Sequence, residues 1–171
     1  MRKTLLTLCF IMLLSMTTTA QPQTFTRDGL DYAFDLPTSL WRAVSRVDMH
    51  EHFEFINGDD YSNGYLRVRK KFVGPGTAPE DIFREDEKWQ LQRLPGYVAC
   101  SNGTGTDFSG RLRGRVFSYE YVNKGVNMDG RIYYLQLDNR TFYVLHFTVA
   151  SEKLQGLRDQ MEPIARSFRL K

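Results

Sequence analysis

The residues best suited to chemistry are His50-Glu51-His52-Phe53-Glu54. On an extended strand His50, His52 and Glu54 fall on one face. Two imidazoles two residues apart can chelate a single metal ion. His146, the third histidine of the chain, would complete a three-ligand site. Zinc held by three protein ligands and a water is the arrangement of hydrolytic centres. The competing reading is a solvated polar face opposite Phe53 and Phe55, and it is preferred. Nothing in the spacing brings His146 to the pair, so no metal, cofactor or catalytic residue is expected.

A second constellation is basic. Arg67, Arg69 and Lys71 alternate along one stretch, and Arg111, Arg113 and Arg115 along another, continued by Phe117, Tyr119 and Tyr121. On one sheet face the rows would form an anion patch for a glycan, a lipid headgroup or an acidic protein. Alternatively they pair across strands with acids such as Glu54, Glu120 and Asp138, or their stems cover apolar surface. Gly103-Thr104-Gly105-Thr106 lacks the lysine and the following helix of a phosphate loop. No GxSxG, HExxH or CxxC occurs, so no recognised catalytic motif is present.

These residues sit behind a leader-like segment. Arg2 and Lys3 precede an apolar run from Leu5 to Met16, then Thr18-Thr19-Ala20 and Gln21-Pro22. This is the layout of a secretory signal peptide cut after Ala20. The run is shorter than the roughly 20 residues a membrane crossing needs. Cys9 lies inside it, not at its end as a lipoprotein signal requires. The expectation is export to the periplasm or the medium, with no transmembrane segment after cleavage. The mature chain, residues 21–171, keeps 151 of 171 residues as a single domain. Losing Arg2 and Lys3 lowers the net charge from +3 to about +1, which gives no reason to expect a nucleic-acid partner. Cys100 alone remains of the two cysteines, so no internal disulfide can form. Its expected place is a strand, as a small apolar side chain.

Periodicity places the elements. Phe25 and Tyr32–Leu36 form a hairpin turning at Arg27-Asp28-Gly29, and Leu40-Trp41 is an apolar plug. Strands are expected over 42–47, 49–56 and 65–73. A helix over 79–94 follows, with Pro79, Glu80 and Asp81 in its first turn and Ile82, Phe83, Trp89 and Leu94 on one face. Strands over 97–108, 111–122, 128–137 and 141–150 then run in series through short hairpin links. A closing helix, N-capped by Ser151, carries Leu154, Leu157, Met161, Ile164 and Phe168 at spacings of three and four. Pro163 should kink or split it. The expected core is Phe34, Leu36, Trp41, Trp89, Leu154, Leu157, Met161 and Phe168. Segregated strands and helices make the class α+β: one domain, an antiparallel sheet of about six to eight strands flanked by helices.

Phe34-Asp35-Leu36-Pro37 followed by Trp41, the last meander strand Phe142–Val149, and the ending Ile164-Ala165-Arg166-Ser167-Phe168-Arg169 resemble the PsbP-like fold. PsbP, the Ran-binding Mog protein and the bacterial DcrB envelope proteins share it. The resemblance spans the whole mature chain. It implies a protein that binds another protein or envelope component and carries no common active site, so no functional residue transfers. Function is therefore expected to be non-enzymatic, with metal-binding or hydrolytic use of His50, His52 and His146, or anion binding by the arginine rows, as the alternatives.

Overall fold

The computed structural model describes residues 22–47 and 52–171. The expected leader and its cleavage point, and His50, lie outside them.

Among the described residues, one antiparallel sheet dominates. Its strands are β3 (Trp41–Val47), β4 (His52–Asn57), β5 (Tyr65–Phe72), β6 (Val98–Ala99), β7 (Thr106–Ser109), β8 (Arg113–Asn123), β9 (Val126–Gln136) and β10 (Thr141–Ala150). The order is β3-β4-β5-β10-β9-β8-β6, with β7 also pairing to β8. A smaller sheet joins β1 (Gln23–Phe25), β2 (Tyr32–Leu36) and the closing strand β11 (Arg169–Leu170) in the order β1-β2-β11. Two α-helices complete the described chain, α1 (Pro79–Trp89) and α2 (Leu154–Ser167). The class is α+β, as expected.

β10 explains why its sequence is apolar nearly throughout. It lies at the centre of the sheet between β5 and β9, so both of its faces are buried and strict alternation disappears. Tyr143, Leu145, Phe147 and Val149 face α2 and the small sheet, and Phe142 and Val144 face α1. β5 keeps the half-buried alternation: Leu66 and Val68 point to the α2 side, while Tyr65, Arg67, Arg69 and Lys71 alternate with them. The β8–β9 link is a two-residue turn in which Lys124 and Gly125 both have positive φ, 49° and 82°. That conformation matches the twist of the two strands, and glycine adopts it without strain.

The core divides into two layers. On one side Leu157, Met161, Ile164 and Ala165 of α2 pack with Phe34, Leu36, Trp41 and Phe168. Trp41 Nε1 donates to Gln160 Oε1 at 2.9 Å, so the buried indole keeps a polar partner. On the other side Ile82 and Phe83 of α1 meet Phe117, Phe142 and Val144, and the Phe83 and Phe117 rings stack at 4.2 Å.

Several expectations need correction. Trp89 is 54% exposed. α1 ends there, five residues earlier than expected, and the chain passes into a 3-10 turn over Leu91–Arg93 in which Leu91 takes the buried position. Leu40 is exposed, and the plug is Trp41 alone. Leu154 is only partly buried, at the start of α2. Ser151 does not cap α2 but opens a 3-10 turn, and Lys153 takes the cap position without a side-chain bond. Pro163 lies on the exposed side of an unbroken helix, where the carbonyl it deprives of a partner can turn toward water. The expected strand over 97–108 is two short strands separated by a 3-10 segment, Cys100–Gly103, in which Ser101 and Asn102 have φ of 52° and 54°. Consecutive left-handed residues cannot continue a pleat. Cys100 therefore sits in that segment and not in a strand, partly buried.

Candidate functional site

The alternative histidine site is not assembled from the described residues. His52 opens β4, and β5 separates that strand from β10, where His146 sits. Across the three strands the register reads Glu54, Arg67, His146. Two arginines of β5, Arg67 and Arg69, thus lie on the strand between the two histidine positions. Among the described residues no group of three or more His, Cys, Asp and Glu could hold a metal ion.

His146 has a different partner. Its Nε2 lies 2.6 Å from the Tyr119 hydroxyl. The Tyr119 ring lies over Gly130, where a Cβ would fall 2.1 Å from it, so only glycine admits this packing. Burial at the centre of the sheet, and then the positive charges of Arg69 and Arg67, push the His146 pKa down to about 3. The folded protein therefore keeps His146 neutral where the unfolded chain, with a pKa near 6.5, would bind a proton. Its contribution to stability is whole above about pH 6.5 and is lost as pH falls from there toward 3. In an NMR titration the His146 ring signals should stay unshifted from pH 7 to pH 4 while the folded protein persists. A midpoint above pH 5 would contradict this geometry.

Arg113 and Arg115 of β8 share the α1 face of the sheet with the β5 row, and α1 and its acids come down among them, whereas Arg111 lies before β8 with its backbone N–H donating to Arg166 O near the end of α2. Arg69 and Lys71 both bind the Asp86 carboxylate, which also accepts from Tyr134 Oη at 2.8 Å and from Gln90 Nε2 at 3.4 Å. Arg67 pairs with Glu54 at 3.2 Å. Arg115 meets Asp107 at 2.5 Å and lies 2.8 Å from Glu80, the latter an ion pair without hydrogen-bond alignment. Arg113 opens β8 and Arg111 precedes it, both exposed. The arginine rows are thus partly consumed by acids of α1, β4 and β7. Of the acids named from sequence, Glu54 takes this role and Asp86, Glu80 and Asp107 take the rest. Asp86 was legible only as one acid inside the apolar stripe of α1.

α1 covers the sheet face only in part. Beyond it an open groove of about 600 Å³ remains, lined by Tyr61, Tyr65, Tyr121, Lys124, Met128 and Thr148 among others. Tyr61 is 56% exposed, and its ring lies 5.5 Å from that of Tyr65. The Tyr65 hydroxyl donates to Glu54 Oε1 at 2.5 Å, which fixes the ring against the groove floor. Burial and this hydrogen bond raise the Tyr65 phenol above its ordinary pKa, so it stays protonated. Tyr121 was already marked by the aromatic continuation of the arginine row. Tyr61 was missed, because a loop tyrosine has no periodicity to reveal it.

Known structures share the fold. Cyanobacterial PsbP from Synechocystis sp. PCC 6803 superposes with a TM-score of 0.59 at 12% identity, over 91% of this chain and 96% of that one. The chain has the PsbP-like fold. The PsbP-like likeness extends to Mog1, seen as a point mutant, with a TM-score of 0.59 at 11% identity over 88% and 96% of the two chains. It extends also to LpqN of Mycobacterium tuberculosis, involved in cell envelope biogenesis, with a TM-score of 0.55 at 13% identity over 88% and 91%. A Bacteroides thetaiotaomicron structure matches 88% of this chain with a TM-score of 0.60 at 18% identity, and this chain spans about half, 49%, of its length. No family model and no curated protein matches the chain in sequence. At such identities a PsbP-like fold is a statement about shape, not activity.

Proposed function

We propose that this protein is an exported, non-enzymatic bacterial envelope protein, periplasmic or secreted, that binds another protein or envelope component through the tyrosine-lined groove. The groove carries the reading. Exposed and half-buried tyrosines beside Met128 supply large, rigid contact area with polar tips, the composition enriched where proteins meet. The leader-like segment before Gln21 supports export. Among the described residues no helix is long and apolar enough to cross a membrane. The shared fold of LpqN, a protein of envelope biogenesis, supports the setting.

The test is crosslinked capture from envelope extract with the full chain, compared with Tyr61→Ala and Tyr121→Ala. Truncating an aromatic anchor at an interface commonly costs about 2 kcal/mol or more. A defined envelope protein recovered by the parent should fall at least tenfold with Tyr61→Ala, whose exposed side chain contributes little to folding. Recovery unchanged by both substitutions would reject the groove as the contact surface.

A further inference from the structure

On the opposite face of the sheet from the tyrosine groove, a separate cleft of about 430 Å³ opens between the β8–β9 ribbon, the Cys100–Thr106 stretch and α2. Glu120 of β8 and Asp129 of β9 stand directly opposite each other and both line it. Like charges in that relation are destabilising. The next pair along the same face is Ser118 with Arg131, and Arg158 of α2 also lines the cleft. Several charges elsewhere are paired, as in Arg67–Glu54, Arg69–Asp86 and Arg166–Glu162. Here, among the described residues, no carboxylate and guanidinium meet within ion-pair distance. Among the described residues, the one side-chain bond of these four groups is the 3.5 Å contact from Arg131 to the Tyr133 hydroxyl.

We infer that this cleft is a binding site for a short peptide with free termini, its ammonium held between Glu120 and Asp129 and its carboxylate between Arg131 and Arg158. Two opposed carboxylates offer the acceptors an ammonium needs, and a guanidinium fork fits a carboxylate. Successive same-face positions on a strand are about 7 Å apart. The two charges of a single amino acid are attached to one carbon and span less than that, whereas those of a di- or tripeptide can reach. Met161 and Val116 supply an apolar wall for side chains, and the volume lies in the range of small-molecule sites, about 300–1,000 Å³. Burial, and then the charges of Glu120 and Asp129, hold the Cys100 thiol above its ordinary pKa.

Calorimetric titration of the full chain with trialanine tests the site. Trialanine should bind. N-acetyl-trialanine and trialanine amide should each bind at least tenfold more weakly, as should trialanine to Glu120→Gln and to Arg158→Ala. Tyr61→Ala should leave this binding unchanged, which keeps the site distinct from the groove. The unliganded Glu120→Gln protein should melt above the parent, because the substitution removes a repulsion. Equal affinity for the blocked peptides, tighter binding of phosphoethanolamine than of trialanine, no binding of trialanine, or a lower melting temperature for Glu120→Gln would each overturn the inference.

Discussion

Replacing Asp86 with alanine should cost about 3–5 kcal/mol, the typical effect of removing one partner from a buried ion pair. The carboxylate is 4% exposed and joins Arg69, Lys71, Tyr134 and Gln90 at one point beneath α1. Its removal leaves the Arg69 guanidinium, 17% exposed, without that counter-charge beside an apolar layer, and the Lys71 ammonium, 20% exposed, with Glu85 at 3.3 Å alone. Such groups are costly because the interior cannot replace the water they lost. Asp86→Asn should fall between parent and alanine, since the amide oxygen can still accept from Tyr134 while the charge is gone. Urea unfolding at neutral pH measures both. A loss below about 1 kcal/mol for Asp86→Ala would put it in the range of an exposed pair and reject this node as the anchor of α1.

Truncation of Phe168 to alanine should cost a similar amount, about 3–5 kcal/mol, by the cavity it opens. Phe168 caps the C-terminus of α2 and is fully buried. Its ring lies 4.9 Å from Tyr143 of the main sheet, and 5.2 Å and 6.0 Å from Tyr32 and Phe34 of the small one. One side chain thus joins the helix, both sheets and the closing strand β11, and the rigid sheets leave little freedom to collapse around the void. Against a typical total of about 5–15 kcal/mol, the variant should be close to unfolding at growth temperature. Thermal melting checks it, and a shift of less than a few degrees would show that the chain end is not part of the cooperative unit.

Both effects were unequally visible before folding. Phe168 was legible because it continues a stripe with Leu157, Met161 and Ile164, and a helical period is a local property of the chain. Asp86 was not, because an acid within an apolar stripe can only be read as buried once its cations are known. Those cations, Arg69 and Lys71, come from β5. Trp89 failed for the reverse reason: it obeyed the period, but α1 ends at it, and in the following 3-10 turn Leu91 takes the buried position against the sheet instead.

Alternation, turn residues and the α2 stripe were enough to specify an antiparallel α+β domain and most of its core, since each depends on neighbours within a few residues. Only tertiary structure decided that β5 pairs with β10, although α1 and the strands β6 to β9 lie between them in sequence. That pairing places Arg67 beside His146 and leaves His52 and His146 on strands that do not touch. Tertiary structure also broke the strand around Cys100, set Glu120 against Asp129, and left one end of the sheet uncovered by α1. Strand order and the fate of charges are settled by which distant segments share a face, and no local pattern encodes that.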